Sequence, residues 1–489
     1  MVFSSPVFLF VFLPVCLAFV LAGAALDRQT GGRPRAQNAA LLVFSIAFYL
    51  YGSGGQIVML FASIAVSWLC GLLIGRTRFR RAGLAFSVVG QLSVLGYFKY
   101  ANFFVDQVNT VADALGLAPL PWQDVVLPVG VSFLVFHAIS YTIDVYRQKA
   151  QPFTSPLDVA LYLSLFPQLI AGPIVRYAEI ADQIHARRAR LEDIALGGTR
   201  FVFGLCKKVA VADAAGEIAD AAFAVPLGEM SSGVAVIGAV AYTFQIYFDF
   251  SAYSDMALGL GRVFGLRFPE NFNRPLTALS ITDFWRRWHM TLSFWFRDYV
   301  YLPLGGSRGP RWRTYANLWT VFLLSGLWHG ASWTFVVWGA YHGLLLTVER
   351  FLRDVSPAAR AVLDTEAAPR FAAPRRALTF VLVVIGFTIF RAETFTQSLT
   401  FYRHMLPPFG WALPIDFAGH LTHKNLLFMG CAAASLFFPS TFVTGRWLED
   451  ARAGRLAVLA RFVVLTAGAL YASALIASNH FSPFIYFRF

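Results

Sequence analysis

The sequence predicts an all-α polytopic membrane protein, and three observations carry that prediction. Of the 489 residues, 57% are hydrophobic and only 14% are charged, whereas ordinary globular chains carry about 25% charged residues. Apolar runs as long as membrane spans recur along the whole chain. The lysines and arginines gather in short clusters between these runs. The same composition excludes a disordered chain, a collagen-like fibre and a disulfide-stapled secreted scaffold.

The excess of basic residues, a net charge of +13, is interpreted as a determinant of membrane topology and not as a nucleic-acid-binding surface. A nucleic-acid-binding protein collects its basic residues on one polar face, whereas here they lie between apolar runs. Four cysteines stand singly, with no CxxC motif. Redox chemistry and a metal site are therefore not expected.

The first five apolar runs alternate with loops of high and low basic content. The runs are 6–26, 39–53, 56–75, 82–104 and 125–145. Basic loops begin at Arg28, Arg76 and Arg147, whereas loops 54–55 and 105–124 contain no Lys or Arg. The positive-inside rule then places the N-terminus outside and the basic loops in the cytoplasm. Because no basic residue precedes run 6–26, we interpret it as a retained anchor.

The next run, 159–175, has basic residues on both sides and contains Pro167, Gly172 and Pro173. These features predict a re-entrant hairpin facing a cytoplasmic cavity, since broken backbone is tolerated in a membrane only where protein or water satisfies it. Residues 201–224 predict an amphipathic helix at the surface or against the bundle.

The second half of the chain contributes further apolar runs. They are 233–249, 315–349, 377–390, 424–438 and 458–477. Asp249 and Asp255 end the first of these runs, and each needs a partner or water at such depth. Residues 354–375 predict a flexible loop. We count about ten to twelve membrane segments, some re-entrant, in one continuous domain over residues 1–489.

His329 is the first candidate catalytic residue. It lies in the nearly charge-free run 315–349, with Gly326 and Gly330 on either side. At 1.5 Å per residue, about 14 helical residues place it roughly 20 Å into a hydrocarbon core about 30 Å thick. A buried neutral imidazole is a good general base for a hydroxyl group. A core histidine bonded to a backbone carbonyl explains the same pattern.

His289 is the second candidate, in the segment FWRRWHMTLS. In a continuous helix Trp285, His289 and Ser293 share one face, while Arg286 and Arg287 project elsewhere. One interpretation is an interfacial helix with a tryptophan belt and phosphate-facing arginines. Another places His289 at a cavity, with the arginines steering an anionic cofactor. The two interpretations are compatible.

Other polar residues indicate no defined chemistry. His137, Tyr141 and Asp144 fall on one side of the fifth run. A polar channel is one explanation, and packing with hydrogen bonding is the favoured one. His342, Tyr341 and other histidines are consistent with structural roles. The sequence contains no Walker loop, GxSxG elbow or HExxH motif, so ATP-driven transport, classical serine hydrolysis and zinc proteolysis lack support.

Five segments, taken as a set, resemble the membrane-bound O-acyltransferase family. They are YFDFSAYSDM (247–256), ENFNRP (270–275), FWRRWHMTLS (284–293), RDYVYLPLGG (297–306) and GLWHGA (326–331). Three further segments resemble its bacterial branch of alginate O-acetyltransferase membrane subunits. They are PVGVSFLVFHAISYTIDVY (128–146), LFPQLIAGP (165–173) and SPFIYFRF (482–489). The resemblance therefore covers nearly the whole chain.

The resemblance implies re-entrant helices around a central pore, with His329 as the buried catalytic histidine and His289 as the second family histidine. It also implies transfer of an acetyl group from a cytoplasmic thioester, acetyl-CoA, to hydroxyls of an exopolysaccharide such as alginate. Trp285, Arg286 and Arg287 are the candidate donor contacts. Periplasmic polysaccharide acetyltransferase proteins are the expected partners, in a bacterial inner membrane with the N-terminus periplasmic.

Two alternatives remain open at this point. A protein of the same fold could transfer D-alanine from a thioester carrier protein to a teichoic acid. A non-catalytic transporter or channel would instead show solute flux that is independent of any acyl donor.

Overall fold

The computed structural model describes residues 1–187, 190–363, 371–406, 409–438, 454–477 and 484–485. Within these ranges all regular secondary structure is helical. Helices satisfy every backbone N–H and C=O within one segment, as a span in lipid requires. By length and composition, six helical stretches are suited to cross a membrane: Phe8–Gln29, Arg35–Arg76, Arg80–Ala114, Ser232–Val263, Ala372–Arg391 and Leu456–Ala477. The prediction of an all-α multi-pass membrane protein is confirmed.

The chain divides into two compact units. The first unit contains residues 1–201 and 256–269. Its helices are α1 (Leu13–Gln29, preceded by π-helical Phe8–Phe12), α2 (Arg35–Ser53), α3 (Ile57–Arg76), α4 (Arg80–Ala114), α5 (Val131–Tyr146), α6 (Pro156–Ser164), α7 (Phe166–Leu169), α8 (Tyr177–Ala186) and most of α9 (Leu191–Cys206). The single-domain interpretation of residues 1–489 stays a prediction.

Helix α4 is longer than the sequence indicated. Residues 105–124 were expected to form a loop, but α4 continues to Ala114 before the chain leaves the helix. The first glycine or proline after residue 104 is Gly116, so nothing in this stretch interrupts the backbone hydrogen bonds. The fall in hydrophobicity after residue 104 therefore did not mark the end of the helix.

The run 159–175 is interrupted, as its prolines and glycine predicted. Helix α6 ends at Ser164, and Leu165 leaves the helical region with ψ of 107° before α7 begins. A Cβ atom at Gly172 would collide with the backbone of Pro167 and Gln168, so the following turn requires glycine. Entry of this segment into a membrane and return to the same side stays a prediction.

The second unit contains residues 202–255 and 270–489. Its described helices are α10 (Asp213–Ala224), α11 (Ser232–Val263, whose last turns belong to the first unit), α12 (Ile281–Trp285), α13 (Met290–Phe296), α14 (Arg311–His329), α15 (Trp333–Val355), α16 (Pro357–Leu363), α17 (Ala372–Arg391), α18 (Phe395–Met405), α19 (Ile415–Ala418), α20 (His423–Ala434) and α21 (Arg455–Ala477). Lys207–Ala212 and Arg297–Tyr301 are π-helical.

The expected flexible loop at 354–375 is wrong in part. Helix α16 covers Pro357–Leu363, and α17 begins at Ala372. Ser356 precedes Pro357, and its hydroxyl accepts a hydrogen bond from the Ala359 amide at 3.1 Å, which caps the short helix. Residues 364–370 lie outside the described residues.

The 35-residue apolar run 315–349 divides into the antiparallel pair α14 and α15. Residues 330–332 join them, and the Ser332 hydroxyl accepts a hydrogen bond from the Thr334 amide at 3.3 Å. A Cβ atom at Gly326 would meet the Phe335 carbonyl, and one at Gly339 would meet the Phe322 carbonyl. Small residues therefore let the two backbones approach closely, as in membrane helix pairs.

A buried group of ion pairs, here called the ion-pair cluster, consists of Lys207, Lys208, Asp213, Asp249 and Asp255. Lys208 Nζ lies 2.7 Å from Asp213 Oδ1 and 2.7 Å from Asp249 Oδ1. Lys207 Nζ lies 2.6 Å from Asp255 Oδ2. The expectation that both carboxylates of α11 need partners is thus met within the second unit.

Candidate active site

His289 lies at a break between two short helices. Helix α12 ends at Trp285 and α13 begins at Met290, and His289 has a left-handed backbone with φ of 41°. The single helical face predicted for Trp285, His289 and Ser293 is therefore wrong. A non-glycine residue in this conformation is uncommon and persists only where its surroundings hold it.

The ENFNRP segment provides those surroundings. The Asn273 amide donates to the Arg287 carbonyl, and the Met290 amide donates to the Asn271 carbonyl, both at 2.9 Å. The buried Asn271 side chain also accepts from the Thr291 hydroxyl at 2.9 Å and donates to the Ser254 hydroxyl at 3.1 Å. Three segments that carry the family resemblance therefore meet around His289: YFDFSAYSDM, ENFNRP and FWRRWHMTLS.

The His289 imidazole is fully buried, with 0% of its surface exposed. Neither ring nitrogen has a hydrogen-bond partner among the residues that the structure describes. Burial lowers the pKa of His289 below its ordinary value, so the ring is neutral near pH 7. Its nearest aromatic neighbours are Phe250 and Trp328, with ring centroids 4.6 and 6.0 Å away.

His329 is the last residue of α14 and is 6% exposed. Three aromatic rings enclose it: the centroids of Trp328, Trp338 and Phe390 lie 4.9, 5.0 and 5.1 Å from the imidazole centroid. The helix ends here because Gly330 turns to an extended backbone. A Cβ atom at Gly330 would collide with the ring of Phe335.

Trp328 connects the two histidines, because its ring contacts both imidazoles. We call His289, Trp328, His329, Trp338 and Phe390 the imidazole cluster. The cluster unites the segments FWRRWHMTLS and GLWHGA, which lie on different helices. An aromatic surrounding excludes water and strengthens the electrostatic interactions of any polar group inside it.

His342 joins the imidazole cluster at its edge, although the sequence indicated only a structural role. Its ring centroid lies 4.9 Å from that of Trp338, and its Nδ1 accepts a hydrogen bond from Trp285 Nε1 at 3.3 Å. This bond leaves the proton of the neutral ring on Nε2. The sequence did carry one signal for this position of His342. His342 follows Trp338 by four residues, so the two side chains share one face of α15.

A cavity of about 280 Å³ lies beside the cluster. Trp285, Arg286, Ser293, Arg297 and Ser325 are among its lining residues, most of which are apolar. Neither catalytic candidate lines it, but Ser325 stands one helical turn before His329 on α14. A small, largely apolar chamber with two guanidinium groups suits a polar ligand that carries negative charge.

The three residues predicted to contact the acyl donor, Trp285, Arg286 and Arg287, therefore differ in whether they line the cavity. Trp285 and the exposed Arg286 line the cavity, whereas Arg287 Nε pairs with Asp283 Oδ1 at 2.8 Å. Arg297 was not singled out from the sequence; it also lines the cavity, and its Nε pairs with Asp298 Oδ1 at 2.8 Å. Across the described parts of the chain, no three His, Cys, Asp or Glu side chains are grouped so that they could hold a metal ion.

The fold and the cluster together define a helical, multi-pass membrane protein with two motif histidines in one aromatic enclosure. Residues 47–372 match the model of the membrane-bound O-acyltransferase family. The chain belongs to this family. It is an enzyme, an O-acyltransferase.

Curated relatives agree with the family assignment. A protein named probable alginate O-acetylase from Azotobacter vinelandii is 45% identical over 84% of this chain and 79% of its own length. A protein of the same name from Pseudomonas aeruginosa is 45% identical over 84% of this chain and 76% of its own length. The peptidoglycan O-acetyltransferase of Helicobacter pylori is 35% identical over 83% of this chain and 80% of its own length.

Proposed function

We propose that the protein transfers an acetyl group from cytoplasmic acetyl-CoA towards hydroxyl groups of an exopolysaccharide such as alginate. The names of two relatives, each 45% identical over most of the chain, support alginate as the acceptor. The bacterial sources of these relatives support a bacterial inner membrane. The distribution of basic loops supports an orientation with the N-terminus periplasmic and the basic loops facing the donor.

The observation that carries the proposal is the convergence of both motif histidines on Trp328. The two imidazoles come from separate helices, both are buried, and both lie where a helix is interrupted. Catalytic groups need such fixed positions, because a misplaced base loses its reach to the proton. A histidine with a purely structural role does not require a second imidazole in contact with the same tryptophan ring.

In the proposed reaction His329 is the general base. The acceptor oxygen attacks the thioester carbonyl carbon while its proton passes to the His329 imidazole. The tetrahedral oxyanion then collapses, the C–S bond breaks, and the proton moves from His329 to the departing thiolate. A neutral His289 provides an N–H donor for the oxyanion in this water-poor enclosure.

The cavity beside the cluster is the proposed donor site. Arg286 and Arg297 provide positive charge for the phosphates of coenzyme A, and Trp285 provides an aromatic wall. A central pore reached from both membrane faces would then bring donor and acceptor to the imidazole cluster. Periplasmic acetyltransferase proteins are the proposed partners that deliver the acetyl group to the polymer.

The test uses an alginate-producing host whose own O-acetylation membrane subunit has been deleted but whose periplasmic proteins remain. Expression of this chain should restore acetyl groups on secreted alginate, measured by proton NMR. Inverted membrane vesicles of that host should transfer label from acetyl-CoA. A membrane-inserted, folded protein that restores no acetylation contradicts the proposal. Label accepted only from a D-alanyl carrier protein would favour the teichoic acid alternative.

A further inference from the structure

A second cavity, in the first unit, has no role in the proposed reaction. Its volume is about 260 Å³, and it lies where the end of α1 meets the start of α2. Asp27, Arg28, Gln37 and Arg187 are among its lining residues. These four polar side chains determine what the cavity can bind.

Arg187 is a buried cation with spare hydrogen-bonding capacity. It is 5% exposed, and its Nε and Nη1 donate to the carbonyls of Phe264 and Ile184 at 3.0 and 3.4 Å. Its Nη2 has no partner among the described residues. A buried guanidinium N–H without an acceptor is costly. An anion in the cavity would provide the missing acceptor.

Asp27 favours this cation through its charge, which partly opposes the lowering of the Arg187 pKa by burial. Its two carboxylate oxygens accept hydrogen bonds from the amides of Ala36 and Gln37 at 2.9 and 3.0 Å, at the start of α2. The carboxylate is therefore engaged by the helix N-terminus. With Arg28 at the rim, the cavity has two cationic side chains and one committed carboxylate.

The position of the cavity indicates which kind of molecule would provide the anion. Two candidate membrane spans, Phe8–Gln29 and Arg35–Arg76, end and begin beside it, so it lies at the height of lipid headgroups. Phe19 and Leu26 on α1 are exposed and offer a surface for acyl chains below it. The positive-inside rule assigns this end of α1 to the cytoplasmic leaflet. Basic pockets between helix ends on that side suit anionic headgroups.

We propose that this cavity binds the phosphate of an anionic phospholipid headgroup, with Arg187 and Arg28 as its ligands. The bound headgroup fixes the α1–α2 connection, where Gly23 already lets the two helices approach so closely that a Cβ atom would meet the backbone of Ala36 and Gln37. This proposal is independent of the acyl-transfer reaction.

The test measures lipid binding to the purified full-length protein in a neutral detergent. Native mass spectrometry counts bound phosphatidylglycerol or phosphatidylcholine, and intrinsic fluorescence follows thermal unfolding with each lipid or with inorganic phosphate. Phosphatidylglycerol should bind and raise the unfolding midpoint, whereas phosphatidylcholine and inorganic phosphate should not. Arg187→Gln and Arg28→Gln should each weaken phosphatidylglycerol binding about tenfold or more, since each removes a charge-assisted hydrogen bond.

Arg35→Gln is the matched control, because Arg35 is exposed at the start of α2 and does not line the cavity. It should retain binding. Arg28 is exposed as well, so Arg28→Gln keeps the test decisive even if Arg187→Gln does not fold. Equal phosphatidylglycerol affinity in Arg28→Gln and Arg35→Gln would overturn the proposal. Equal stabilisation by inorganic phosphate would overturn the headgroup as the source.

Discussion

Two buried polar regions of the second unit differ in how their side chains are satisfied. In the ion-pair cluster, Lys208 lies within 2.7 Å of two carboxylates, and the Ile485 amide also donates to Asp249 at 2.7 Å. In the imidazole cluster, aromatic rings surround His289, and its ring nitrogens find no partner in the described part of the chain.

We expect this difference to separate groups that maintain the fold from groups that take part in the proposed reaction. Buried charges must be paired, because removal of one partner leaves an uncompensated charge in a low-dielectric interior. A neutral imidazole tolerates the same burial and keeps its nitrogens for a substrate. Changes in the first region should therefore reduce stability, and changes in the second should reduce turnover.

The largest expected effect on stability is that of Lys208→Met in the ion-pair cluster. The change leaves Asp213 and Asp249 facing each other without a cation, which should lower the free energy of unfolding by ~3–5 kcal/mol. Thermal unfolding in detergent measures it. Lys424→Met is the control, because the Lys424–Glu217 pair is 43% exposed on both sides and should contribute little. Similar losses in both variants would contradict the comparison.

His289→Gln should reduce turnover about 10²–10³-fold, the usual loss when one oxyanion donor is removed. His137→Gln is the matched control. His137 is equally buried and its ring nitrogens also lack partners among the described residues, but it lies within the uninterrupted helix α5. The acetylation rate should stay near that of the wild type in the control. An equal loss of acetylation rate in both variants would show that the burial of the histidine, and not its place in the imidazole cluster, determines the effect.

Gly339→Ala should destabilise the α14–α15 pair by ~1–3 kcal/mol, because its methyl group would overlap the Phe322 carbonyl. Gly343→Ala on the same helix is the control. Its methyl group would lie 3.5 Å from the Phe322 side chain, an ordinary contact, and alanine favours the helix. Thermal unfolding should separate the two variants, and a tolerated Gly339→Ala would refute the close approach of the two backbones.

The smallest expected effect is that of Arg286→Gln, which should raise the KM for acetyl-CoA about three- to tenfold with kcat retained. The loss of one phosphate contact at the cavity is the reason. Arg287→Gln, which breaks only the pair with Asp283, should leave KM unchanged. A larger KM change in Arg287→Gln than in Arg286→Gln would contradict the assignment of the cavity to the donor.

Each of the six candidate spans contains an apolar run that hydropathy identified in the sequence, whereas the runs 159–175 and 315–349, which have basic residues on both sides, each divide into separate helices. The burial of His329 and the need of Asp249 for a partner also followed from the sequence, whereas the depth of His329 in the membrane stays a prediction. The break at His289 did not follow, because the contacts that hold it come from Asn271 and Asn273, well before it in the chain. Tertiary contacts of this kind override local helical periodicity.

The partner of Asp249 illustrates the same limit. Lys208 lies 41 residues earlier, in a stretch predicted to form an amphipathic helix at the surface or against the bundle. Its neighbour Lys207 reaches Asp255 instead. No local spacing relates either lysine to its carboxylate, and only the packing of α11 against the π-helical turn brings them together.

The most direct test of the account is the acetyl-transfer rate of His329→Gln relative to the wild type, in inverted vesicles that contain equal amounts of folded protein. Glutamine keeps a polar side chain in the enclosure but cannot accept the proton of a hydroxyl group. The account predicts a rate at least about 10²-fold lower with an unchanged thermal midpoint. A rate equal to that of the wild type would contradict the role of His329 as the general base.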